Sequence, residues 1–188
     1  MTEKHQGAEA TVTIGEKARK ERGEKKYRHP GLDRKIREER NRKEIRMLEE
    51  ARQNGVNVPK VKEKSRTGFT MEKIEGKILK QVIENEPGLT EKLAEQAARL
   101  HSADIIHGDL TTSNAVFAEN QVYLIDFGLA FRSERIEDKA VDIHLLKQVF
   151  KASHKLELWE KFAEKYREEE DSKIVEKVPE IEKRARYR

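Results

Sequence analysis

Two short strings in the second half of the chain carry the residue types that handle a nucleotide triphosphate. Residues 107–114 read His-Gly-Asp-Leu-Thr-Thr-Ser-Asn, and residues 126–128 read Asp-Phe-Gly. The 11 residues between them are typical of a tight β-hairpin. This order and spacing would place Asp109, Asn114 and Asp126 around the phosphates. Phosphoryl transfer needs charge stabilisation and positioning more than covalent help from the protein, so these side chains predict that chemistry.

Each polar residue of the two strings has a candidate role. Asp109 would accept a hydrogen bond from the attacking hydroxyl or water, while Asn114 and Asp126 would bind Mg²⁺, which prefers oxygen ligands. His107 is grouped with the catalytic residues as a support for the loop and for the Asp-Phe-Gly segment, not as a base. The form H-x-D-x-x-x-x-N followed by D-F-G is that of a protein-kinase catalytic loop, and the two strings together are a specific signal.

Gly108 occupies the position where protein kinases usually carry an arginine that meets a phosphate on the activation segment. Only 62 residues follow Asp126. That length predicts two or three helices in place of a full activation segment and helical subdomain.

The composition limits the classes of partner. Charged residues make up 40% of the chain and hydrophobic residues 35%, with a net charge of +4. Residues 17–46 hold 14 Lys/Arg against 6 Asp/Glu, and four of the last six residues are basic. These two basic patches indicate phosphate-bearing partners, nucleotide or RNA, and solvated helix faces are an equal alternative for either run taken alone. The absence of Cys excludes disulfides, and no apolar run is long enough for a membrane span, so we expect a cytoplasmic protein.

The hydrophobic pattern predicts elements that could position these residues. It favours strands at residues 11–14, 17–22, 69–74, 115–118 and 121–125, and helices at 33–54, 78–84, from 90, and from 137 onward. Asp33 and Thr90 are candidate caps for two of the helices, and Gly55 is a candidate stop. Strands followed by helices predict the α+β class, with a small β-rich lobe before a mostly helical one.

Two apolar stripes in the last third of the chain predict core positions. They are formed by Leu145, Leu146, Val149 and Phe150, and by Trp159, Phe162, Ala163 and Tyr166.

Several segments resemble the small kinase/ATPase subunit of the KEOPS complex in its archaeal form, also called the PRPK family and related to RIO-type atypical kinases. The similarity runs from about residue 6 to residue 150. Its most specific parts are residues 25–30, Lys-Lys-Tyr-Arg-His-Pro, and the loop at 107–114. The resemblance implies a minimal two-lobed protein-kinase-like fold, with an N-lobe to about residue 75, a C-lobe at about 76–178 and a basic C-terminal tail at about 179–188.

The resemblance also implies a nucleotide site. Lys20 would bind the phosphates and Glu44 would be its ion-pair partner. A phosphate-covering turn would be formed by Gly7, Ala8, Glu9 and Ala10. Met71 would lie at the back of an adenine pocket, and the backbone of Glu72 and Ile74 would pair with the base edge. Asp142 resembles the buried helical aspartate that braces the catalytic loop.

The chain departs from the usual kinase pattern in three places. The phosphate-covering turn has one glycine where ordinary kinases have G-x-G-x-x-G. Polar residues precede Lys20, so the lysines at positions 17, 25 and 26 are rivals for its role. Glu44 is favoured over the glutamates at 38 and 39 because it precedes Ile45 on the apolar side of the helix. The third departure is that no Ala-Pro-Glu follows Asp-Phe-Gly.

The function implied by the resemblance is an ATP- and Mg²⁺-dependent atypical Ser/Thr protein kinase or ATPase that supports threonylcarbamoyl-adenosine modification of tRNA. Its partners would be the threonylcarbamoyl transferase subunit, other small KEOPS subunits and tRNA, the last through the basic patches. Two alternatives are a small-molecule kinase of the aminoglycoside or choline type, which usually needs a larger helical lobe, and a nucleotide-binding scaffold without turnover. A pure RNA-binding module would not explain the Asp-Phe-Gly hairpin.

Overall fold

A five-stranded antiparallel sheet opens the fold. The computed structural model describes residues 3–7, 10–153 and 155–185. The strands are β1 (Glu3–Gln6), β2 (Thr11–Ile14), β3 (Ala18–Glu21), β4 (Val61–Lys64) and β5 (Gly68–Met71), in the spatial order β1-β2-β3-β5-β4. The β2–β3 hairpin was predicted, whereas the predicted strand at 69–74 ends earlier, at Met71. Neither edge strand was predicted, since both are short and polar.

Helix α1 (Pro30–Gln53) is linked to this sheet through its buried side. Ile45, Met47 and Leu48 are buried there as part of the core. Asn41 adds a polar link, because its side-chain amide donates to the backbone carbonyls of Ser65 and Gly68 at the β4–β5 turn, at 2.9 and 3.2 Å. Long-range packing and hydrogen bonds therefore hold a helix whose outer face is almost wholly charged.

The start of α1 differs from the prediction. The helix begins at Pro30 with His29 in the cap position, so Asp33 lies inside the first turn and does not cap the helix. Proline suits this place, because the first helical N–H has no partner in the helix. Asp33 is buried and accepts a 2.7 Å hydrogen bond from Arg37 one turn later. Gly55 follows the helix with φ +78°, as expected of a stop.

Two smaller sheets lie beyond this region. β6 (Lys77–Ile78), β8 (Ala115–Ala118) and β9 (Gln121–Leu124) form one of them, and β7 (Ile105–Ile106) pairs with β10 (Phe131–Arg132) to form the other. Glu119 and Asn120 turn the β8–β9 hairpin with φ of 50° and 59°. Both residues in the left-handed region are typical of a two-residue hairpin loop, and this hairpin was predicted.

Four helices complete the fold: α2 (Leu89–Ser102), α3 (Ile136–Ala152), α4 (Leu156–Glu169) and α5 (Ser172–Ala185). The predicted stripe on α4 is buried in full. Of the predicted stripe on α3, Leu146 and Phe150 are buried, while Leu145 and Val149 are half-buried because the buried face of the helix passes through Ile143 instead. Helix α5 includes residues 179–185 of the predicted tail. A sheet-first, helices-last chain with one connected core agrees with the predicted α+β class.

Two local predictions in the middle of the chain are wrong. Helix α2 begins at Leu89 with Gly88 in the cap position, so Thr90 lies inside the helix. Its hydroxyl is buried and has no hydrogen-bond partner among the described residues. The helix predicted at 78–84 is a 3₁₀ turn at Leu79–Gln81. Among the described residues, no helix has the length and apolar character required to cross a bilayer.

Candidate active site

A buried ion pair lies between the first sheet and α1. The Lys20 ammonium contacts Glu44 Oε1 at 2.6 Å and Asp126 Oδ1 at 2.8 Å. Lys20 and Glu44 are 6% and 2% exposed. The structure therefore brings together three of the predicted site residues, which are up to 106 positions apart in the sequence.

Strand alternation explains why Lys20 reaches this place. Side chains on β3 alternate between the buried and exposed faces, so Ala18 and Lys20 face inward while Arg19 and Glu21 face solvent. Among the rival lysines, Lys17 instead pairs with Glu63 at the surface. A neighbouring strand can approach Lys20 closely because it carries Gly68 there: an added Cβ would lie 2.6 Å from the Lys20 carbonyl oxygen.

Arg22 is a component of the site that the sequence did not predict. It follows Lys20 on the inward face, is 6% exposed, and its Nη2 contacts Glu44 Oε2 at 2.5 Å. The signal was present in the sequence as a second basic residue two positions after Lys20. Because a basic residue outside any motif is usually solvated, the pattern alone gave no reason to select it.

Asp126 follows the end of β9 and turns the chain towards the ion pair. Its φ is 62°, an uncommon conformation for a residue other than glycine, and its Oδ1 accepts the N–H of Gly128 at 3.2 Å. Burial raises the pKa of this carboxyl, but the charge and hydrogen bond of Lys20 outweigh it, so the pKa lies below the ordinary value of 3.8. Asp126 is therefore ionised at neutral pH.

The predicted catalytic loop places Asp109 beside Asn114. The Asn114 side-chain amide donates to the backbone carbonyl of Asp109 at 2.9 Å and to its carboxylate at 2.8 Å. A 3₁₀ turn at Thr112–Asn114 produces this return of the chain. The amide nitrogen is used in the loop, which leaves the amide oxygen of Asn114 as the atom suited to a cation.

Asp142 of α3 holds the catalytic loop from below. Its carboxylate accepts the backbone N–H groups of His107 and Gly108 at 2.7 and 2.9 Å, and it contacts His101 Nε2 at 3.1 Å. The other ring nitrogen of His101 lies 2.7 Å from the Tyr166 hydroxyl. Burial raises the pKa of Asp142, but hydrogen bonding and charge from the histidines hold it below its ordinary range. The geometry matches the bracing contact implied for this residue.

His107 is fully buried and connects the loop to the Asp-Phe-Gly segment. Its Nε2 lies 3.0 Å from the carbonyl oxygen of Ile125, and its ring lies 4.8 Å from that of Phe127. These contacts join the His107 ring to the residues on both sides of Asp126; its supporting role remains a prediction.

Glycine is required at position 108 because the segment that contains Leu129 approaches the backbone closely there. Its φ is +79°, and an added Cβ would lie 2.7 Å from the carbonyl oxygen of Leu129. The segment after Asp-Phe-Gly therefore lies directly against the catalytic loop, at the position where kinases usually carry arginine.

A cavity of about 530 Å³ adjoins these groups. Its charged end is formed by Lys20, Glu44, Asn114 and Asp126. Its remaining wall is largely apolar and includes Val12, Ile14, Ala18, Leu48, Met71, Ile78, Val116 and Ile125. An apolar slot with polar groups at one end is typical of a site for a nucleotide, with the base in the slot and the phosphates at the charged end.

The predicted base-binding residues line this cavity. Met71, Glu72 and Ile74 all form part of its wall, as does His5 of β1, which was not predicted. In the predicted phosphate-covering turn, Gly7 donates its N–H to the carbonyl of Ala10 at 2.9 Å. The two remaining residues of that turn, Ala8 and Glu9, lie outside the described residues.

The oxygen ligands at the charged end fit a magnesium ion that also binds phosphates. No cluster of three or more His, Cys, Asp or Glu suited to a metal occurs among the described residues. Magnesium bound to a nucleotide does not need one, because it is held by one or two carboxylates together with phosphates and waters. The half-exposed Asp126 carboxylate and the Asn114 amide oxygen provide that kind of donor set.

Comparison with known proteins gives a family. The family described as RIO1, RIO domain, matches residues 9–153. The KEOPS complex subunit Bud32 of Pyrococcus abyssi is 39% identical over 208 residues, covering 97% of this chain and 94% of that protein. The chain belongs to the RIO-domain family, in its Bud32 group. The family resemblance predicted for this RIO-domain chain is therefore confirmed.

Two further relatives of this RIO-domain chain differ from each other in length. A probable serine/threonine-protein kinase BUD32 homolog of Archaeoglobus fulgidus is 37% identical and matches over 96% of this chain and 94% of its own length. A probable bifunctional tRNA threonylcarbamoyladenosine biosynthesis protein of Methanosarcina mazei is 42% identical over 96% of this chain. The chain spans about a third (35%) of that protein.

A solved structure supports the fold of the RIO-domain chain. The Rio2 kinase of Chaetomium thermophilum, in an ADP/Mg²⁺-phosphoaspartate complex, superposes with a TM-score of 0.69 at 19% identity. The match covers 81% of this chain and 55% of the kinase. At this identity the similarity concerns the fold, which is kinase-like as predicted.

Proposed function

We propose that the chain binds ATP with Mg²⁺ and transfers or hydrolyses its terminal phosphate. The observation that carries this proposal is the position of the Lys20 ammonium, within 2.8 Å of both Glu44 and Asp126 at the charged end of an apolar cavity. Such an arrangement offers a cation to phosphates and a carboxylate to a metal, which are the requirements of phosphoryl transfer.

In this proposal each residue has a separate task. Glu44 holds the Lys20 ammonium at the phosphates, and Asp126 and Asn114 hold Mg²⁺. When bound, the metal neutralises charge that develops on the transferred phosphoryl group. Asp109 is ordered by its hydrogen bond from Asn114 and orients the attacking oxygen. Asp142 fixes the backbone that carries Asp109.

The nature of the attacking group separates two activities. Attack by water would make the protein an ATPase, and attack by a Ser/Thr hydroxyl would make it a protein kinase. The loop geometry permits both, because Asp109 orients the oxygen of either nucleophile in the same way. The name of the Archaeoglobus relative, a probable serine/threonine-protein kinase homolog, supports the kinase activity.

We further propose that the chain works in the cytoplasm as a KEOPS subunit supporting threonylcarbamoyl-adenosine modification of tRNA. The names of the Pyrococcus and Methanosarcina relatives support this assignment. Its partners would be the threonylcarbamoyl transferase subunit and other small subunits. The sequence carries an excess of positive charge at residues 17–46 and 183–188, which is suited to tRNA phosphates.

The test is Mg²⁺-dependent ATP turnover by the purified chain, alone and with the transferase subunit and tRNA. We expect turnover that increases with the partners and is lost in Asp109→Ala and Asp126→Ala. Glu160→Ala, which removes an exposed carboxylate of α4, is the matched control and should behave as the parent protein. ATP binding without turnover under every condition would overturn the enzyme assignment in favour of a nucleotide-binding scaffold.

A further inference from the structure

Arg22 places a second buried cation beside the phosphate-binding lysine. It lies two residues after Lys20, directly after the end of β3, and continues the inward-facing alternation of that strand. Its side chain is 5% exposed and reaches the second oxygen of Glu44. This arrangement adds a second cation to the Lys20–Glu44 pair.

The two cations divide the Glu44 carboxylate between them. Lys20 occupies Oε1 at 2.6 Å and Arg22 occupies Oε2 at 2.5 Å. The Glu44 side chain is 1% exposed, so water does little to screen these contacts. One carboxylate balances one cation, so the group of three carries one surplus positive charge, which Asp126 balances through its 2.8 Å contact with Lys20. When Asp126 holds the metal, as in the proposed function, that positive charge is available to phosphates.

Arg22 is not fully satisfied by this contact. Its Nε is buried and has no hydrogen-bond partner among the described residues. A buried donor without a partner lowers stability, and such groups in a folded protein call for an explanation. Because Lys20 also contacts Asp126, Arg22 serves as a second cation for Glu44, but that contact uses only Nη2 and leaves Nε without a partner among the described residues.

The position of the guanidinium suggests what the surplus charge is for. A Cβ added at Gly128 of the Asp-Phe-Gly segment would lie 3.8 Å from Arg22 Nη2 and 3.8 Å from Lys20 Nζ. Both cations therefore approach the same turn, next to Asp126. Arg22 itself does not line the cavity, so its charge reaches a ligand there through space and through Glu44.

We propose that Arg22 is a positioning residue for the nucleotide phosphates. It occupies one oxygen of the Glu44 carboxylate, so that Glu44 neutralises less of the positive charge that Lys20 presents to the ligand. The inference rests on the proposed ATP binding. Without Arg22, Glu44 would pair with Lys20 alone and cancel more of its charge.

The experiment compares nucleotides that differ only in phosphate number. Affinities for ATP, ADP and AMP in the presence of Mg²⁺ are measured by displacement of a fluorescent nucleotide from the full chain, Arg22→Gln and Arg22→Lys. Arg19→Gln is the matched control, because it removes the same charge from the exposed face of β3, three residues before Arg22. Thermal unfolding of each variant separates loss of folding from loss of binding.

We expect Arg22→Gln to weaken ATP binding by about tenfold, the order of effect expected of one charge on a nearby charged group. The loss should be smaller for ADP and smallest for AMP. Arg22→Lys should restore most of the ATP affinity, and Arg19→Gln should change none of the three by more than about twofold.

Two results would overturn the inference. An equal loss for all three nucleotides would mean that Arg22 only supports the local structure, and an unchanged ATP-to-ADP affinity ratio would mean that its charge does not reach the phosphates. Failure of the parent chain to bind ATP would overturn the proposed function as well. Binding without turnover would leave the affinity ratios to decide the role of Arg22 separately.

Discussion

At the residue scale, the site depends on an aspartate in a backbone conformation that few side chains tolerate. Asp126 has φ 62°, and aspartate is among the residues that adopt this region at the least cost. The contacts with Lys20 and with the N–H of Gly128 hold it there. The same carboxylate is thus both a turn residue and the candidate ligand of the metal.

The lowered pKa of Asp126 leads to a prediction about pH. A carboxyl whose folded pKa lies below 3.8 stays ionised above that value, and its favourable interactions are lost only as the pH falls through the folded pKa. We therefore expect Mg²⁺-dependent ADP affinity to show no loss attributable to Asp126 between about pH 5 and pH 8. Titration calorimetry across this range, on the parent chain and on Asp126→Asn, provides the measurement. A titration in this range that is absent from Asp126→Asn would contradict the assignment.

Gly108 gives a second prediction at this scale. Gly108→Ala forces a side chain into φ +79° and against the carbonyl of Leu129. We expect a loss of about 1–3 kcal/mol in the free energy of unfolding, together with slower turnover as the loop moves. Urea unfolding measures the first effect. Gly23→Ala, where an added Cβ meets nothing within 4 Å, should stay close to the parent protein. Equal stability of the two variants would show that the loop is not held at Gly108.

At the scale of elements, the buried carboxylate of Asp142 joins helices α2, α3 and α4 and the catalytic loop. Asp142 of α3 holds the loop after β7 through two backbone N–H groups, and His101 extends the contact to Tyr166 of α4. Buried networks of this kind are stable when every member has a partner and fragile when one is removed.

This network predicts graded effects of substitution. Asp142→Asn leaves a buried amide opposed to the N–H donors of the loop, and we expect it to lower the free energy of unfolding by about 3 kcal/mol or more. Tyr166→Phe removes only the hydroxyl and should cost about 1 kcal/mol. Tyr27→Phe, at a side chain 77% exposed, is the control. If chemical unfolding showed Tyr166→Phe to be less stable than Asp142→Asn, the result would contradict the bracing role.

The elements also mark how far the sequence could predict the structure. The β2–β3 and β8–β9 hairpins and the end of α1 were predictable, because turn residues and a stop glycine punctuate them. Strands β1 and β4 were not, since EKHQ and VKEK carry almost no alternation and gain their pairing from the sheet beside them. The start of α1 was predicted wrongly because aspartate is a common cap residue, whereas the Asp33 carboxylate accepts a hydrogen bond from Arg37 inside the helix.

The site shows the same limit. Asp109, Asn114 and Asp126 were predicted from motif spacing, and Lys20 and Glu44 from the family resemblance. The structure places Lys20, Glu44 and Asp126 in contact, with Asn114 on the same cavity wall and hydrogen-bonded to Asp109. Arg22 was not predicted, because its contact depends on the direction of its side chain after β3 and on Glu44, 22 positions away. Contacts between distant segments leave little trace in a single sequence.

At the scale of the whole molecule, the cavity connects the first sheet to the helical part. Its wall takes residues from both, including Lys20 from β3 and Val116 from β8. The predicted boundary near residue 75 remains a prediction, and it falls between the end of β5 at Met71 and the start of β6 at Lys77. A ligand in this place would contact both parts at once.

Binding should therefore stabilise the molecule as a unit. At 100 times its dissociation constant, Mg²⁺-ATP should add about 2.7 kcal/mol to the free energy of unfolding. For a chain of this size that corresponds to an increase in Tm of about 5–10 °C. Differential scanning fluorimetry measures the shift, with Asp126→Ala expected to lose most of it. A shift of the same size with ATP and a chelator would contradict a role for the metal.

The link between the two parts passes through Gly76, which is pressed against the neighbouring strand. An added Cβ would lie 2.1 Å from the carbonyl oxygen of Phe117. Any side chain at position 76 would overlap that carbonyl, so the close approach of residue 76 to β8 requires glycine. The residues that join the first sheet to this point, 72–75, include the predicted base-binding backbone. The segment proposed to contact the base is therefore also the segment that joins the two parts of the molecule.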